Sequence, residues 1–306
     1  IRILRQQVIV EDLSNVIMLS RQDIKWLQVE ATTKCNAWCP GCARNNNGYG
    51  IAPGFVLEDL SIRRLEQVLE YFPNLDVVHF CGTFGDAIAA QQIFEMIDLS
   101  KKHCKKIQLN TNGSLRSVAW WKSFALLLSD FDHDVWFCLD GLNGVHEIYR
   151  QGTEFNTVVS NAQSFINAGG HASWQFIPWA HNEHQLKDCM KLSQQLGFKH
   201  FRFIKNARTN FQARHYRTGE LLEIKPWSKN SSFSRFAQVQ SHVPLGACMH
   251  LTQPSVYLNA NGSLSSCCWI NLSNTFEKFD QLPDIQQELE TQPNSMCLKF
   301  CGVSCA

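Results

Sequence analysis

Three cysteines near the start of the chain have the spacing of a metal-binding loop. Cys35, Cys39 and Cys42 follow one another as C-x3-C-x2-C, and no fourth Cys or His comes close behind them. A structural zinc site takes four protein ligands, commonly as two pairs far apart in the sequence. Three cysteines instead suit a [4Fe–4S] cluster whose fourth iron keeps a non-protein ligand. We therefore expect an iron–sulfur cluster here, with zinc as the alternative.

A second group of cysteines lies near the end of the sequence. Asn261-Gly262 is a strong hairpin signal between the apolar runs 255–259 and 264–269. So small and cysteine-rich a segment is expected to fold around a metal. This group consists of Cys248, Cys267, Cys268, Cys297, Cys301 and Cys305. The isolated cysteines at positions 81, 104, 138 and 189 are expected to be buried apolar side chains.

The elements that must position the first cysteines form a repeating pattern. Between residues 25 and 206, short apolar runs alternate with longer amphipathic stretches, which is typical of parallel strands joined by helices. The predicted strands are 26–31, 76–81, 106–110, 134–139, 172–178 and 200–204. These are fewer strands than a closed TIM barrel has. We expect an α/β fold, an open partial (β/α)6 TIM-like barrel; a doubly wound sheet is the alternative.

The pattern divides the chain into four segments. They are an N-terminal segment (1–24), the barrel (25–206), a basic connector (207–246) and a small cysteine-rich domain built of a β-hairpin and helix (247–306). The connector loses the strand and helix alternation. Basic residues outnumber acidic ones around it, at Lys199, Arg202, Lys205, Arg208, Arg214, Arg217, Lys225, Lys229 and Arg235. We interpret this stretch as a solvated linker, or as a docking surface for an acidic partner.

Charge and hydropathy exclude several classes of protein. With 28 Lys and Arg against 27 Asp and Glu, the chain has no overall basic surface for nucleic acid or anionic lipid. No apolar run approaches the length that crosses a bilayer. Charged residues, among them Arg2, Arg5 and Glu11, stand where a signal peptide needs an apolar region. We expect a cytoplasmic protein with neither a membrane nor a nucleic-acid partner.

The cysteine loop, placed directly after the first strand, resembles that of radical S-adenosylmethionine (SAM) enzymes. In that superfamily the open iron chelates the amino and carboxylate groups of SAM, and an electron from the cluster releases a 5′-deoxyadenosyl radical. The cofactors supply the chemistry and the protein orients them. One departure is Gly41, where members of the superfamily usually have an aromatic residue near the adenine; Trp38 is the candidate substitute.

Further resemblances fall at the ends of successive strands, where barrel folds build their ligand sites. The segment 81–86 (CGTFGD) is similar to the glycine-rich motif that binds the SAM ammonium. Segments 110–113 and 139–150 are similar to those that hold the ribose and carboxylate, although Asn-Gly and Asp-Gly also simply form turns. The resemblance implies cofactor-binding residues at Gly82, Thr83, Gly85, Asp86, Asn112, Asp140 and Arg150.

The C-terminal cysteines resemble the SPASM or twitch extension of radical SAM enzymes. The segment has too few cysteines for two complete clusters, so the resemblance implies one auxiliary [4Fe–4S] cluster, with zinc as the alternative. Its expected ligands are Cys248, Cys267, Cys297 and Cys301, and Cys305 is the alternative to Cys301. Cys268, Cys138 and Cys305 are candidate hydrogen-atom donors to a substrate radical, unless they are inert thiols.

The function implied is reductive cleavage of SAM followed by hydrogen abstraction from a substrate. An auxiliary cluster that takes an electron from the product radical favours oxidation, such as dehydrogenation or a crosslink in a peptide or protein side chain. Flavodoxin or ferredoxin is the expected electron donor. Without a leader-binding domain before the barrel, a small sugar-like alcohol is an alternative substrate. A zinc-stabilised binding module is the alternative of another class.

Overall fold

The computed structural model describes residues 20–204, 210–228 and 253–265. The C-terminal cysteines at 248, 267, 268, 297, 301 and 305 lie outside these ranges. So do residues 1–19 and the basic residues Lys205, Arg208, Lys229 and Arg235. The predicted auxiliary-cluster ligands and the candidate donors Cys268 and Cys305 therefore stay predictions.

The six predicted strands form and pair in parallel, in the order in which they occur in the chain. They are β1 (Trp26–Val29), β2 (Val77–Phe80), β3 (Lys106–Thr111), β4 (His133–Cys138), β5 (Ala172–Phe176) and β6 (Phe201–Phe203). The fold class predicted from the alternation of apolar and amphipathic stretches, an open α/β partial barrel, is confirmed.

Helices join the strands and cover one face of the sheet. They are α1 (Ile62–Tyr71), α2 (Ile93–Lys101), α3 (Val118–Leu128), α4 (His146–Tyr149), α5 (Phe155–Asn167) and α6 (Leu186–Gln195). Ser61 and Ser117 cap α1 and α3, because each hydroxyl oxygen accepts a hydrogen bond from a backbone N–H in the first turn of its helix. Among the described residues, no helix combines the length and apolar character that spanning a membrane requires.

Alternation along the strands separates an apolar outer face from a polar inner face. Outward side chains such as Val78, Leu109 and Phe137 pack with the helices in one large apolar core. The residues between them point to the opposite face of the sheet. Many of these inward residues are polar, including Gln28, His79, Asp134, Ser173, Gln175 and Arg202. A polar interior of this kind distinguishes the barrel from one filled by an apolar core.

The predicted hairpin at Asn261-Gly262 forms and extends the barrel sheet. β9 (Ser255–Leu258) pairs in parallel with β1, and β10 (Leu264–Ser265) pairs antiparallel with β9. Among the described residues the sheet runs β10-β9-β1-β2-β3-β4-β5-β6, and no further strand pairs with β10 or β6. The hairpin, which sequence analysis assigned to the small C-terminal domain, lies on the edge of β1 and pairs backbone groups that an edge strand leaves free.

The connector contains a hairpin that the sequence did not predict. β7 (Phe211–Arg214) and β8 (Leu221–Ile224) pair antiparallel across a turn at Gly219. This hairpin packs on the cysteine loop, where Tyr216 stacks on Trp38 with ring centroids 5.8 Å apart. Gly48 makes the close approach possible, because a Cβ there would lie 1.9 Å from the carbonyl oxygen of Arg214.

Candidate cofactor site at the barrel mouth

The three cysteines of the loop after β1 lie together at the carboxyl ends of the strands. Cys35, Cys39 and Cys42 are free thiols. They pack in one small apolar cluster beneath the β7–β8 hairpin, together with Ala37, Tyr149, Trp179, Ile177, Phe211, Leu222 and Ile224. The loop is held in shape by backbone hydrogen bonds, from Cys42 N to Cys39 O at 3.1 Å and from Trp38 N to Gln151 O at 2.7 Å. The site predicted from the spacing is therefore sheltered and has a defined shape.

Burial disfavours the charged form of these thiols. Burial raises the pKa of Cys35, and the charges of Asp86 and Cys39 add to this effect. Burial also raises the pKa of Cys39, although Arg150 partly offsets it. A metal centre that binds these sulfurs must displace their protons, since the thiolate is the ligand.

The number and type of these ligands suit a cluster better than a structural zinc ion, which takes four protein ligands. Zinc needs its sulfur ligands at about 2.3 Å from a shared centre. A [4Fe–4S] cluster binds each cysteine at a different iron, so its ligands need not converge on one point. The donor set of three cysteines fits such a cluster.

The glycine-rich loop after β2 is organised by a residue that sequence analysis missed, Glu30. Its carboxylate accepts hydrogen bonds from the backbone N–H groups of Thr83 (3.1 Å), Phe84 (3.2 Å) and Gly85 (2.8 Å). In a trans peptide the carbonyl points opposite to the following N–H. The carbonyls of residues 82–84 therefore point away from Glu30, and they are the groups with which this loop could accept an ammonium.

Two glycines allow this loop to fold so tightly. A Cβ on Gly85 would lie 1.9 Å from the carbonyl oxygen of Thr32, and one on Gly82 would lie 2.3 Å from the carbonyl oxygen of Gly85. Cβ atoms do not approach oxygen so closely, and only glycine fits both positions. The spacing of glycines in the sequence thus reflects close backbone packing against the segment between β1 and Cys35.

Glu30 is fully buried and its electrostatics reflect that position. Burial raises the pKa of its carboxyl to about 7, although the hydrogen bonds from Tyr257 and the glycine-rich loop favour the ionised form. The hydroxyl of Tyr257 on β9 donates to the same carboxylate. An acidic residue at an inward position of the predicted strand 26–31 was the signal in the sequence for this role.

Asp86, predicted to bind cofactor, connects the ends of β2 and β3. Its carboxylate accepts hydrogen bonds from Asn112 N (2.7 Å), Thr111 Oγ1 (3.0 Å) and Ile88 N (3.3 Å). Burial raises its pKa, and these donors oppose that effect. Asp86 is thus placed to position Asn112 in this structure.

Asn112 reaches the cysteine loop. Its Nδ2 lies 3.5 Å from Cys35 Sγ and donates to Asn36 Oδ1 at 2.9 Å. Its Oδ1 accepts from both the backbone N–H (2.9 Å) and the hydroxyl (2.7 Å) of Ser114. The Ser114 hydroxyl oxygen in turn lies 2.7 Å from Nδ2 of Asn36, a further residue that sequence analysis missed. This network aims an amide N–H group at the first sulfur.

Asp140 and Arg150 form a buried ion pair beside the second sulfur. Arg150 Nε donates to Asp140 Oδ2 at 2.6 Å, and Arg150 Nη1 lies 4.0 Å from Cys39 Sγ. Burial opposes the charge of Arg150, but the neighbouring Asp140 and Cys39 hold its pKa well above the ordinary value. The other oxygen of Asp140 accepts from Ile177 N at 2.7 Å. The guanidinium therefore stays cationic next to the thiols.

A neutral histidine fixes this ion pair. The backbone N–H of Asp140 donates to His146 Nδ1 at 3.1 Å, and His146 Nε2 lies 2.9 Å from Thr153 Oγ1. Burial, with Arg150 nearby, lowers the pKa of His146 to about 3. Because Nδ1 accepts, the ring proton is on Nε2, which donates to Thr153. The Thr153 hydroxyl then donates to Arg150 O at 2.6 Å.

The structure thus brings most of the predicted site residues to one end of the sheet. Asn112 and Arg150 contact the cysteine sulfurs. Asp86 holds Asn112 in place, and Asp140 holds Arg150. Gly82 is exposed and Thr83 half-buried at the glycine-rich loop. Sequence analysis missed Glu30, Asn36 and the residues of the β7–β8 hairpin.

Cys138, a candidate hydrogen-atom donor, lies on the inner face of the barrel. It is buried at the end of β4, with Gln175 Nε2 at 3.7 Å from its sulfur. Burial raises the pKa of its thiol to about 11, so that the S–H form prevails at neutral pH. This placement is compatible with hydrogen donation, which stays a prediction.

Comparison with protein families and curated proteins gives a partial relationship. No family model matches the chain. A curated protein of Pyrococcus furiosus, described as a tungsten-containing aldehyde ferredoxin oxidoreductase cofactor-modifying protein, is 27% identical over 129 residues. This match covers 42% of the chain and only about a third (34%) of the relative's length.

Solved structures are similar over most of the chain. SuiB of Streptococcus suis bound to S-adenosylmethionine is 13% identical with a TM-score of 0.60, over 92% of this chain and 72% of that one. The structure titled native anSMEcpe with bound AdoMet and Kp18Cys peptide is 16% identical with a TM-score of 0.60, over 87% and 82%. SuiB bound to the precursor peptide SuiA also has a TM-score of 0.60, at 12% identity over 92% and 70%. At these identities the likeness shows a shared fold.

Proposed function

We propose that this chain, which has the fold of the radical SAM enzymes, is itself a radical SAM enzyme that oxidatively modifies a peptide or protein side chain. One observation carries the proposal. Three free thiols lie at the mouth of a partial barrel, and polar groups from the ends of β3 and β4 reach two of their sulfurs, Asn112 at Cys35 and Arg150 at Cys39.

The residues of the mouth have separate roles in this proposal. Cys35, Cys39 and Cys42 hold a [4Fe–4S] cluster, which together with SAM supplies a 5′-deoxyadenosyl radical for hydrogen abstraction. The carbonyls of residues 82–84 accept the SAM ammonium, and the cationic Arg150 attracts its carboxylate. The β7–β8 hairpin and the apolar cluster beneath it keep water away from the sulfurs.

The C-terminal cysteines complete the proposed redox chain. Cys248, Cys267, Cys297 and Cys301, with Cys305 as the alternative to Cys301, would hold an auxiliary [4Fe–4S] cluster that could accept one electron from the product radical left by hydrogen abstraction. Flavodoxin or ferredoxin supplies the electron that starts the reaction. We place the reaction in the cytoplasm, because the seven described cysteines are all free, as in a reducing compartment.

Similar structures support a peptide substrate over a small alcohol. SuiB is described with the precursor peptide SuiA, and anSMEcpe with the Kp18Cys peptide. Both have TM-scores of 0.60 against this chain. The polar interior of the barrel also offers many hydrogen-bonding groups to an entering side chain.

The test is anaerobic reconstitution with iron and sulfide, followed by reduction with dithionite in the presence of SAM. The wild-type chain should become brown and release 5′-deoxyadenosine. Cys39→Ser should abolish that release and lower the iron content. Cys104→Ser is the matched control, because Cys104 Sγ lies away from the mouth within reach of two backbone carbonyls (3.2 and 3.3 Å), to either of which its hydrogen, or that of a serine hydroxyl, can be donated. A colourless protein that binds zinc at the three cysteines would sink the proposal.

A further inference from the structure

The inner face of the barrel carries a half-buried arginine that the proposed cofactor chemistry does not use. Arg202 lies on β6 and pairs in register with Gln175 on β5, which pairs in register with Cys138 on β4. Residues in register on neighbouring strands point to the same face of the sheet. Arg202 therefore faces the barrel interior, although its position near the connector suggested a surface charge.

The guanidinium of Arg202 is rigidly held. It lies over the ring of Trp136, with Cζ 3.7 Å from the ring centroid. Its Nε and Nη2 both donate to a single atom, Gln175 Oε1, at 3.0 and 2.6 Å. A guanidinium has five N–H groups, so the remaining ones are available to a ligand. Stacking on an aromatic ring and a fixed amide acceptor are features of a pre-organised arginine.

The charge of Arg202 has no counter-ion in the described part of the chain. No described carboxylate oxygen lies within 4.0 Å of its nitrogens. Asp134, which also faces inward, is engaged by the hydroxyl of Ser173 at 2.7 Å. Burial lowers the pKa of Arg202, and the charges of Cys138 and Asp134 partly offset this effect without a direct ion pair. A half-buried cation of this kind is stabilised by an anion that can form hydrogen bonds with it.

An unpartnered polar atom faces the same interior. Trp136 Nε1 is buried without a hydrogen-bond partner among the described residues, and Trp136 is 7% exposed. The neighbouring His79 and Asn110 interact with each other, and burial, together with the charge of Arg202, lowers the pKa of His79. Buried polar atoms are nearly always hydrogen-bonded, so this indole N–H indicates a site for a ligand that can accept a hydrogen bond.

We propose that Arg202, held by Gln175 and Trp136, binds a carboxylate group of the substrate inside the barrel, and that the indole N–H of Trp136 is a further donor to it. The inference rests on the proposed function, because it names the chemistry of the substrate that enters the same barrel. A carboxylate matches the planar fork of an arginine and its remaining donors. It could belong to an acidic side chain or to the end of a peptide.

The position of Arg202 relates this anchor to the reaction. Gln175 links Arg202 to Cys138, since its Oε1 accepts from Arg202 and its Nε2 lies 3.7 Å from the Cys138 sulfur. The charges of both Arg150 and Arg202 act on the Cys138 thiol. A substrate anchored at Arg202 is therefore held beneath the Arg150 and Cys39 end of the mouth.

Binding of small probes tests the proposal on the reconstituted chain with SAM present. N-acetyl-glutamate N-methylamide offers a side-chain carboxylate, N-acetyl-alanine a terminal one, and N-acetyl-glutamine N-methylamide is the neutral control. Calorimetry should show binding of at least one acidic probe, at least about tenfold tighter than the neutral control. Whichever acidic probe binds more tightly identifies the source of the carboxylate.

Variants separate this anchor from the cofactor chemistry. Arg202→Gln should weaken binding of the acidic probe at least about tenfold. Arg202→Lys should retain only part of the affinity, because lysine lacks the planar, forked guanidinium group. Arg63→Gln, on an exposed residue of α1, is the control and should bind as the wild type does. Arg202→Gln should still fold, since it removes a half-buried charge that no described carboxylate pairs with, and so leaves no charge unpaired.

The outcomes distinguish the two proposals. If the wild type releases 5′-deoxyadenosine but no acidic probe binds, or Arg202→Gln binds it unchanged, the anchor is refuted and the proposed function stands. If the wild type does not cleave SAM but the acidic probe binds through Arg202, the proposed function fails and the carboxylate site stands.

Discussion

Tyr257 donates its hydroxyl hydrogen to the carboxylate of Glu30, although 227 residues separate them in the sequence. The contact joins β9 to β1 and, through Glu30, to the glycine-rich loop at the barrel mouth. A single buried carboxyl thus connects the C-terminal hairpin with the loop expected to receive SAM.

Glu30 should make stability depend on pH near neutrality. Burial raises its pKa from 4.5 to about 7 in the folded chain, so the folded state holds its proton more tightly than the unfolded state. The stabilisation is fully present below about pH 4.5 and is lost as the pH rises through 7, at most about 3 kcal/mol in all. Urea unfolding at a series of pH values would measure it.

The Glu30→Gln variant isolates this effect. The difference in unfolding free energy between wild type and Glu30→Gln should change steadily from pH 5 to about 7 and then level off. Glu66→Gln, at an exposed position of α1, is the control, and its unfolding free energy should depend on pH in the same way as that of the wild type. A difference that is the same at every pH would contradict the buried, titrating carboxyl.

Asp140→Asn should destabilise the chain strongly. The substitution leaves the buried Arg150 without its partner at 2.6 Å, and an uncompensated buried charge costs about 3 to 5 kcal/mol. Glu223→Gln breaks the exposed pair with Lys225 (2.9 Å) and should cost less than about 1 kcal/mol. Equal losses in urea unfolding would show that the Asp140 pair is solvated.

Gly85→Ala should impair SAM cleavage at the barrel mouth without unfolding the barrel. The new Cβ must displace the carbonyl of Thr32, so the glycine-rich loop should lose its hydrogen bonds to Glu30. The carbonyls of residues 82–84 would then no longer point to the proposed SAM position. We expect release of 5′-deoxyadenosine to fall more than about tenfold. Gly144→Asn is the control, because no atom lies within 4 Å of a Cβ there and Asn tolerates its positive φ. Normal turnover by Gly85→Ala would contradict this account.

Tyr216→Ala should expose the cysteine loop. The Tyr216 ring stacks on Trp38 and holds the β7–β8 hairpin over the thiols. In metal-free protein, alkylation of Cys39 by iodoacetamide should become at least about threefold faster, as read by mass spectrometry. Leu221→Ala changes an exposed residue of the same hairpin (55% exposed) and should leave the rate unchanged. Equal rates in all three proteins would show that the hairpin gives no shelter.

Local patterns predicted the elements whose residues carry their own signals. The six barrel strands follow from the alternation of short apolar and long amphipathic runs, and the Asn261-Gly262 turn from its backbone requirement. The cysteine loop was found from its spacing, and the glycines at 82 and 85 from their resemblance to the glycine-rich motif of radical SAM enzymes. Each of these signals is contained in a few consecutive residues.

Features that depend on tertiary pairing were missed. Glu30 acts on residues more than fifty positions away, and only the folded loop shows that its carboxylate binds backbone N–H groups. The side on which Arg202 lies depends on the register of β5 and β6, so a count of charges along the chain could not place it inside. The β7–β8 hairpin alternates in burial over four residues only, too short a pattern to outweigh the surrounding charges.

The parallel pairing of β9 with β1 sets an order of events during synthesis. On the ribosome, β1 to β6 emerge and can fold long before Tyr257 is made. During this time the edge of β1 that later pairs with β9 has no partner strand from that hairpin. An unpaired strand edge can form backbone hydrogen bonds with a strand of another nascent chain, which leads to misassembly. The hydrogen bond from Tyr257 to Glu30 can form only after residue 257 has been synthesised. We therefore expect iron to be inserted after the β9–β10 hairpin has been made, and not while the barrel is still being synthesised.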